Sequence, residues 1–164
     1  MLSTPIRSRQ MKPSTFMDET SAIVVLDTSV VINLNATGRA PEILNALPLR
    51  IVVTEIVVAE LRRDRRSGRQ DSELLEALAR AGHIRVVAIG DAGPSVFGEF
   101  VVGPAGDTLD DGEAATIAFA VEHQIAPVID ERKALRICRE RFPLPRPICT
   151  VDLFAETAVA VALG

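Results

Sequence analysis

Residues 23–29 read Ile-Val-Val-Leu-Asp-Thr-Ser, and this stretch decides the fold. Four consecutive β-branched or aliphatic residues without polar alternation describe a strand covered on both faces, the habit of parallel sheets. The run stops at Asp27, and Val30, Val31 and Leu34 follow at helical spacing. The same strand-then-helix grammar repeats outward. A short helix is predicted over 42–47 and a second strand over 51–53. Thr54 then caps a helix carrying Glu55 in its first turn and Ile56, Val57, Ala59, Glu60 and Leu61 beyond it. Leu74, Leu75, Leu78 and Ala81 predict another helix, capped by Asp71 or Ser72 and stopped by Gly82. Residues 84–89 read as a third strand, 126–129 as a fourth and 148–150 as a short fifth. Helices are predicted around Ala114–Val121, around Leu135–Cys138 and from about 152 to 163. The connection 90–108 holds five glycines and two prolines, a length that compact domains usually reserve for function.

Alternation of this kind predicts an α/β three-layer sandwich, a twisted, mainly parallel sheet of about five strands flanked by helices. At 164 residues the chain accommodates one domain, assigned to 21–164, behind a loose polar tail over 1–20. With no Trp, no Tyr and six Phe, its core must be aliphatic. Eighteen basic residues face 22 acidic ones, for a net charge of -4. That balance does not advertise nucleic-acid binding, although a bound divalent cation inverts the sign locally. Cys138 and Cys149 form no CxxC pair and read as reduced thiols. His83 and His123 are isolated, so zinc sites and Ser-His-Asp or Cys-His catalysis are excluded. No GxxxxGK[ST] loop offers a phosphate cradle. The apolar run 23–34 is interrupted by Asp27 and too short to span a bilayer. The expected protein is soluble and cytoplasmic, with no membrane partner.

Chemistry concentrates in acids. In parallel α/β sheets the ligand crevice lies outside the carboxyl ends of the strands, where Asp27 ends the first strand and Asp130 the fourth. Glu60 sits among apolar neighbours, and Glu113 lies three residues after Asp110, on the same helix face. Each has a plainer reading too. Asp27 can cap the helix after it, Glu60 can be a solvated helix residue, and Asp110 and Asp111 can serve a helix dipole. Carboxylates crowded together raise one another's pKa or recruit a cation, and donors that are all oxygen suit Mg²⁺ or Mn²⁺. Such ions serve phosphodiester displacement.

Four segments, in order, carry a family resemblance: VVLDTSVVINL (24–34), VVTEIVVAELRR (52–63), LDDGEAATIAFA (109–120) and PVIDERKALRI (127–137). Over roughly residues 22–155 the chain resembles the PIN domain family of metal-dependent ribonucleases, which includes VapC-type toxins. The resemblance implies a Mg²⁺ or Mn²⁺ site at Asp27, Glu60, Glu113 and Asp130, with Glu131 the alternative fourth acid. Glu113 stands where the family more often has Asp. Ser29 matches the hydroxyl residue beside the first acid, and Asp110 and Asp111 are secondary candidates. Arg62, Arg63, Arg65 and Arg66 read as contacts for RNA or a partner, or as a solvated helix end. Implied partners are an RNA substrate, a small antitoxin protein and a second copy in a homodimer. The competing readings are a PIN-fold module that binds RNA or protein without cutting, and a receiver-type signalling domain. The latter lacks its acid pair after the first strand and its Lys after a late one. A haloacid-dehalogenase-type phosphatase would want Asp where Ser29 stands.

Overall fold

The computed structural model describes residues 22–63, 68–90, 93–102, 104, 108–142 and 144–164. Four parallel strands, β1 (Ala22–Leu26), β2 (Leu49–Thr54), β3 (Arg85–Val87) and β4 (Ala126–Val128), form one sheet in the order β3-β2-β1-β4. Leu26 stands opposite Val53 on one side and Val128 on the other.

Successive residues of a strand face opposite sides of the sheet. Val24, Leu26, Ile51 and Val53 therefore share one face with the apolar stripes of α1 (Thr28–Ala36), α2 (Ala40–Ala46), α3 (Glu55–Arg63) and α4 (Gly68–Arg80). Val25 and Val52 share the other face with Phe119 and Ala120 of α6 (Asp111–His123). Both faces are covered, as the unbroken run at 23–26 requires. A further cluster, centred on Phe100, Ile117, Ile129 and Ile137, ties α5 (Gly93–Val101) and α7 (Arg132–Arg141) to α6.

The chain departs from the predicted elements in three places. The fifth strand is reduced to one parallel bridge between Val128 and Ile148. Pro145 and Pro147 beside it have no N–H to donate to a ladder. The third strand shrinks to three residues at the sheet edge, paired with Val52–Thr54. The single terminal helix is two, α8 (Thr150–Phe154) and α9 (Thr157–Leu163), broken at an extended Glu156. The break returns buried Val159 and half-buried Leu163 to the core, and Arg39 Nη1 donates to the Leu163 carbonyl. The 90–108 connection contains α5. The predicted tail 1–20, Arg65 and Arg66 lie outside the described residues. Among the described residues no helix is long and apolar enough to cross a membrane.

The topology places the site. From β1 the chain steps outward to β2 and β3, then returns to add β4 on the other flank of β1. The β1–β4 junction is the switch point at which such sheets open a crevice. Asp27 and Asp130 stand at that end, and the Asp27 N–H donates to the Val128 carbonyl (3.1 Å).

Candidate active site

Asp27 is held by the turn from β1 into α1. It is the N-cap of α1, and its Oδ2 accepts from the Ser29 hydroxyl at 2.7 Å and, at a longer 3.4 Å, from the Ser29 N–H. The cap reading of this residue is therefore correct, yet it occupies one oxygen only. Oδ1 is buried with no hydrogen-bond partner. Burial is the main reason that its carboxyl is pushed up to about 6; the Ser29 bonds act the other way, and the charge of Asp110 adds to the rise.

Glu60 projects from α3. Its Oε2 accepts from the Thr28 hydroxyl. Its pKa is raised first by burial and then by Asp110 and Asp111, against the Thr28 bond and Arg63. The approach of α6 to this carboxylate depends on Gly112. A Cβ there would stand 2.1 Å from Glu60 Oε2 and 2.5 Å from Thr28 Oγ1. A glycine in a helix costs about 1 kcal/mol relative to alanine, and this close approach is what it makes possible.

Glu113 is buried on α6 and forms a capping box with Asp110. Asp110 Oδ1 accepts from the Glu113 N–H (2.8 Å), and Glu113 Oε2 accepts from the Asp110 N–H (3.3 Å). Burial raises the Glu113 carboxyl to about 7; Asp110, Asp27 and Glu131 push the same way. Asp110 thus acts on each of Asp27, Glu60 and Glu113, and Asp27 acts on Glu113.

Asp130 and Glu131, which sequence alone leaves as alternatives, do different work. Asp130 Oδ1 accepts from the Thr150 N–H (2.8 Å), and its Oδ2 accepts from the Thr150 hydroxyl (2.6 Å) and from Asn33 Nδ2 (2.8 Å). Its carboxylate joins α1 to the start of α8. Glu131 caps α7 by accepting from the Ala134 N–H at 2.7 Å. Asp111 is exposed, 4.0 Å from Arg63 Nη2. Arg63 also donates to the Ala59 carbonyl, and Arg62 pairs with Glu76 of α4 at 2.8 Å.

Sequence reasoning did not single out Thr28, Gly112, Asn33 or Thr150. The Gly in Asp-Asp-Gly-Glu was the available signal, because a helix start has no use for glycine's freedom. Among the described residues no three His, Cys, Asp or Glu side chains stand close enough to enclose an ion as oriented. One feature nonetheless fits a hard cation, the orphaned, buried Asp27 Oδ1, and the bare backbone of Gly112 lets α6 close on the Glu60 carboxylate. Carboxylate oxygens suit Mg²⁺ or Mn²⁺.

Fold and crevice define a parallel α/β protein with carboxylates gathered at its topological switch point. A sequence model of the PIN domain matches residues 23–141, and the chain belongs to the PIN domain family. Its fold is shared with VapBC2 from Rickettsia felis, solved bound to a DNA fragment from its promoter: TM-score 0.53, 17% identity, 77% of this chain and 96% of that one. VapBC-1 from nontypeable Haemophilus influenzae gives a TM-score of 0.54 at 18% identity, again over 77% of this chain and 96% of that one. No curated protein matches the sequence.

Proposed function

We propose that this chain is a Mg²⁺- or Mn²⁺-dependent endoribonuclease acting in the cytoplasm, the toxin of a toxin–antitoxin pair. The carrying observation is the unpartnered, buried Asp27 Oδ1 in the field of Glu113 and Asp110. A buried carboxylate oxygen without a donor costs free energy that a cation would recover. Membership of the PIN domain family supports the reading, and the structural neighbours' description as VapBC supports an antitoxin partner; a homodimer is part of the proposal.

Asp27, Glu60 and Glu113 would hold the ion. Bound there, a divalent cation supplies Lewis acidity toward a phosphodiester and makes water nucleophilic at neutral pH. Thr28 and Ser29 orient Glu60 and Asp27 through their hydroxyls. Glu113 Oε2 stays with the Asp110 N–H, which leaves Oε1 for the ion. Asp130 acts through others: it fixes Asn33 and the first turn of α8 at the crevice edge.

A binding-only PIN module is the second reading, favoured by the engagement of Glu113 and Asp130 in caps and interhelical bonds. Purified protein incubated with structured and single-stranded RNAs in Mg²⁺, Mn²⁺ or EDTA separates the two, beside Asp27→Asn prepared identically. Metal-dependent cutting that the substitution abolishes is expected. Cutting that survives in EDTA or in the variant contradicts the nuclease reading.

A further inference from the structure

The chain is acidic overall, but its charge is unevenly placed. The fifteen residues 132–146 hold six of its 18 basic residues and a single acid, Glu140. They comprise α7 and the segment after it. Buried Ala134, Ile137 and Cys138 turn α7 onto the core, while Arg132, Arg136, Arg139 and Arg141 are exposed, as is Arg146 beyond the helix. Arg136 pairs with Glu140. Arg139 and Arg146 act electrostatically on exposed Asp152, whose carboxylate also accepts from the Cys149 N–H.

The position of this face matters as much as its sign. The helix begins at the crevice, since its N-cap Glu131 acts electrostatically on Glu113. At 1.5 Å per residue, Arg139 lies about 10 Å further along the axis than Arg132. There a surface cavity of about 390 Å³ opens, lined by Cys138, Arg139, Phe142, Leu144, Arg146 and Pro147. Two arginines share its lining with apolar side chains that include the Phe142 ring. That combination suits a nucleotide, with phosphate for the guanidinium forks and a base for the ring. Arg62 and Arg63, the sequence's own candidates for RNA contact, are by contrast engaged with Glu76, Asp111 and the Ala59 carbonyl.

We propose that the exposed basic face of α7 and the cavity at its far end form the track that holds single-stranded RNA backbone running into the acidic crevice. The proposal rests on the nuclease reading for its direction, but not for its test. Affinity from phosphate contacts falls with salt, by about 0.7 in log–log slope for each phosphate neutralised on a single strand.

The test measures binding of a fluorescein-labelled single-stranded RNA of about twelve nucleotides by anisotropy, in EDTA and over a KCl series. Arg139→Ala/Arg146→Ala and Arg132→Ala/Lys133→Ala are compared with the wild type and with Arg85→Ala on the edge strand, each checked for fold by circular dichroism. Each α7 double variant is expected to lose about tenfold in affinity near 0.1 M salt and about 1.4 in salt slope, while Arg85→Ala changes neither. Loss in the α7 variants supports the track even if no protein cuts RNA, in which case the nuclease reading alone falls. Unchanged affinity and slope overturn the track even if the wild type cuts RNA. An equal loss in Arg85→Ala overturns it as diffuse attraction. A change confined to molecular mass in light scattering overturns it in favour of a face between two copies.

Discussion

Replacing Asp27 by Asn should stabilise the metal-free protein at pH 8. Asp27 is 2% exposed, and burial lifts its carboxyl from 3.8 to about 6. A folded-state pKa above the unfolded value means that stability is fully present below about pH 4 and is lost as pH rises through about 6. Two units correspond to about 3 kcal/mol at pH 8. Asn caps a helix as well as Asp does, and its oxygen can still accept from Ser29. The weaker, neutral hydrogen bond takes back about 1 kcal/mol. The net gain is about 2 kcal/mol, or roughly 4–8 °C in Tm for a chain of this size. The chain has no Trp or Tyr, so urea unfolding is followed by far-ultraviolet circular dichroism in EDTA at pH 4 and pH 8. The variant should be the more stable at pH 8, with the advantage gone by pH 4. A wild type that is the more stable at pH 8, or a difference independent of pH, would refute the argument that Asp27 is a desolvated, uncompensated charge.

Three further outcomes follow from the same geometry. Gly112→Ala should keep the fold, since alanine favours the helix by about 1 kcal/mol, yet weaken Mn²⁺ binding at least tenfold, because the new methyl displaces the Glu60 carboxylate; calorimetric titration reads this. Thr28→Val removes the hydroxyl that lowers the Glu60 pKa, at a stability cost of about 1 kcal/mol, and should shift the pH profile of metal binding upward. Phe100→Ala should cost about 3–5 kcal/mol in urea unfolding, because the side chain is fully buried against Phe142 at 5.4 Å and the Phe100 carbonyl accepts from the Leu109 N–H just before Asp110.

The strand 22–26 and its neighbour 49–54 were legible because burial on both faces leaves no polar residue in either core run. The acid ending the first was legible for the same reason. Glu60 could be singled out from its apolar flanks, although its partner Thr28 lies 32 residues away, beyond any local pattern. The separate structural roles of Asp130 and Glu131 were not legible, because only the fold brings Thr150 and Asn33 to Asp130. The arginines at 62 and 63 looked available in sequence, whereas α4 supplies Glu76 to one and α6 supplies Asp111 to the other. The last strand failed because Pro145 and Pro147 before it forbid a ladder and α8 begins at Thr150, while its residue pattern still reads as extended. The single terminal helix failed because packing on α2 outweighed helical continuity.

In the proposed function the buried carboxylates hold one divalent cation site. Titration of Mn²⁺ into the wild type, Asp27→Asn and Glu113→Gln by calorimetry at pH 6, 7 and 8 tests it most directly. Carboxyls raised to about 6 and about 7 must lose their protons to bind metal. Wild-type affinity should therefore rise from pH 6 to pH 8 with proton release at the lower pH, and each substitution should weaken it by an order of magnitude or more. Equal affinity in all three proteins, or wild-type binding indifferent to pH across this range, would contradict it.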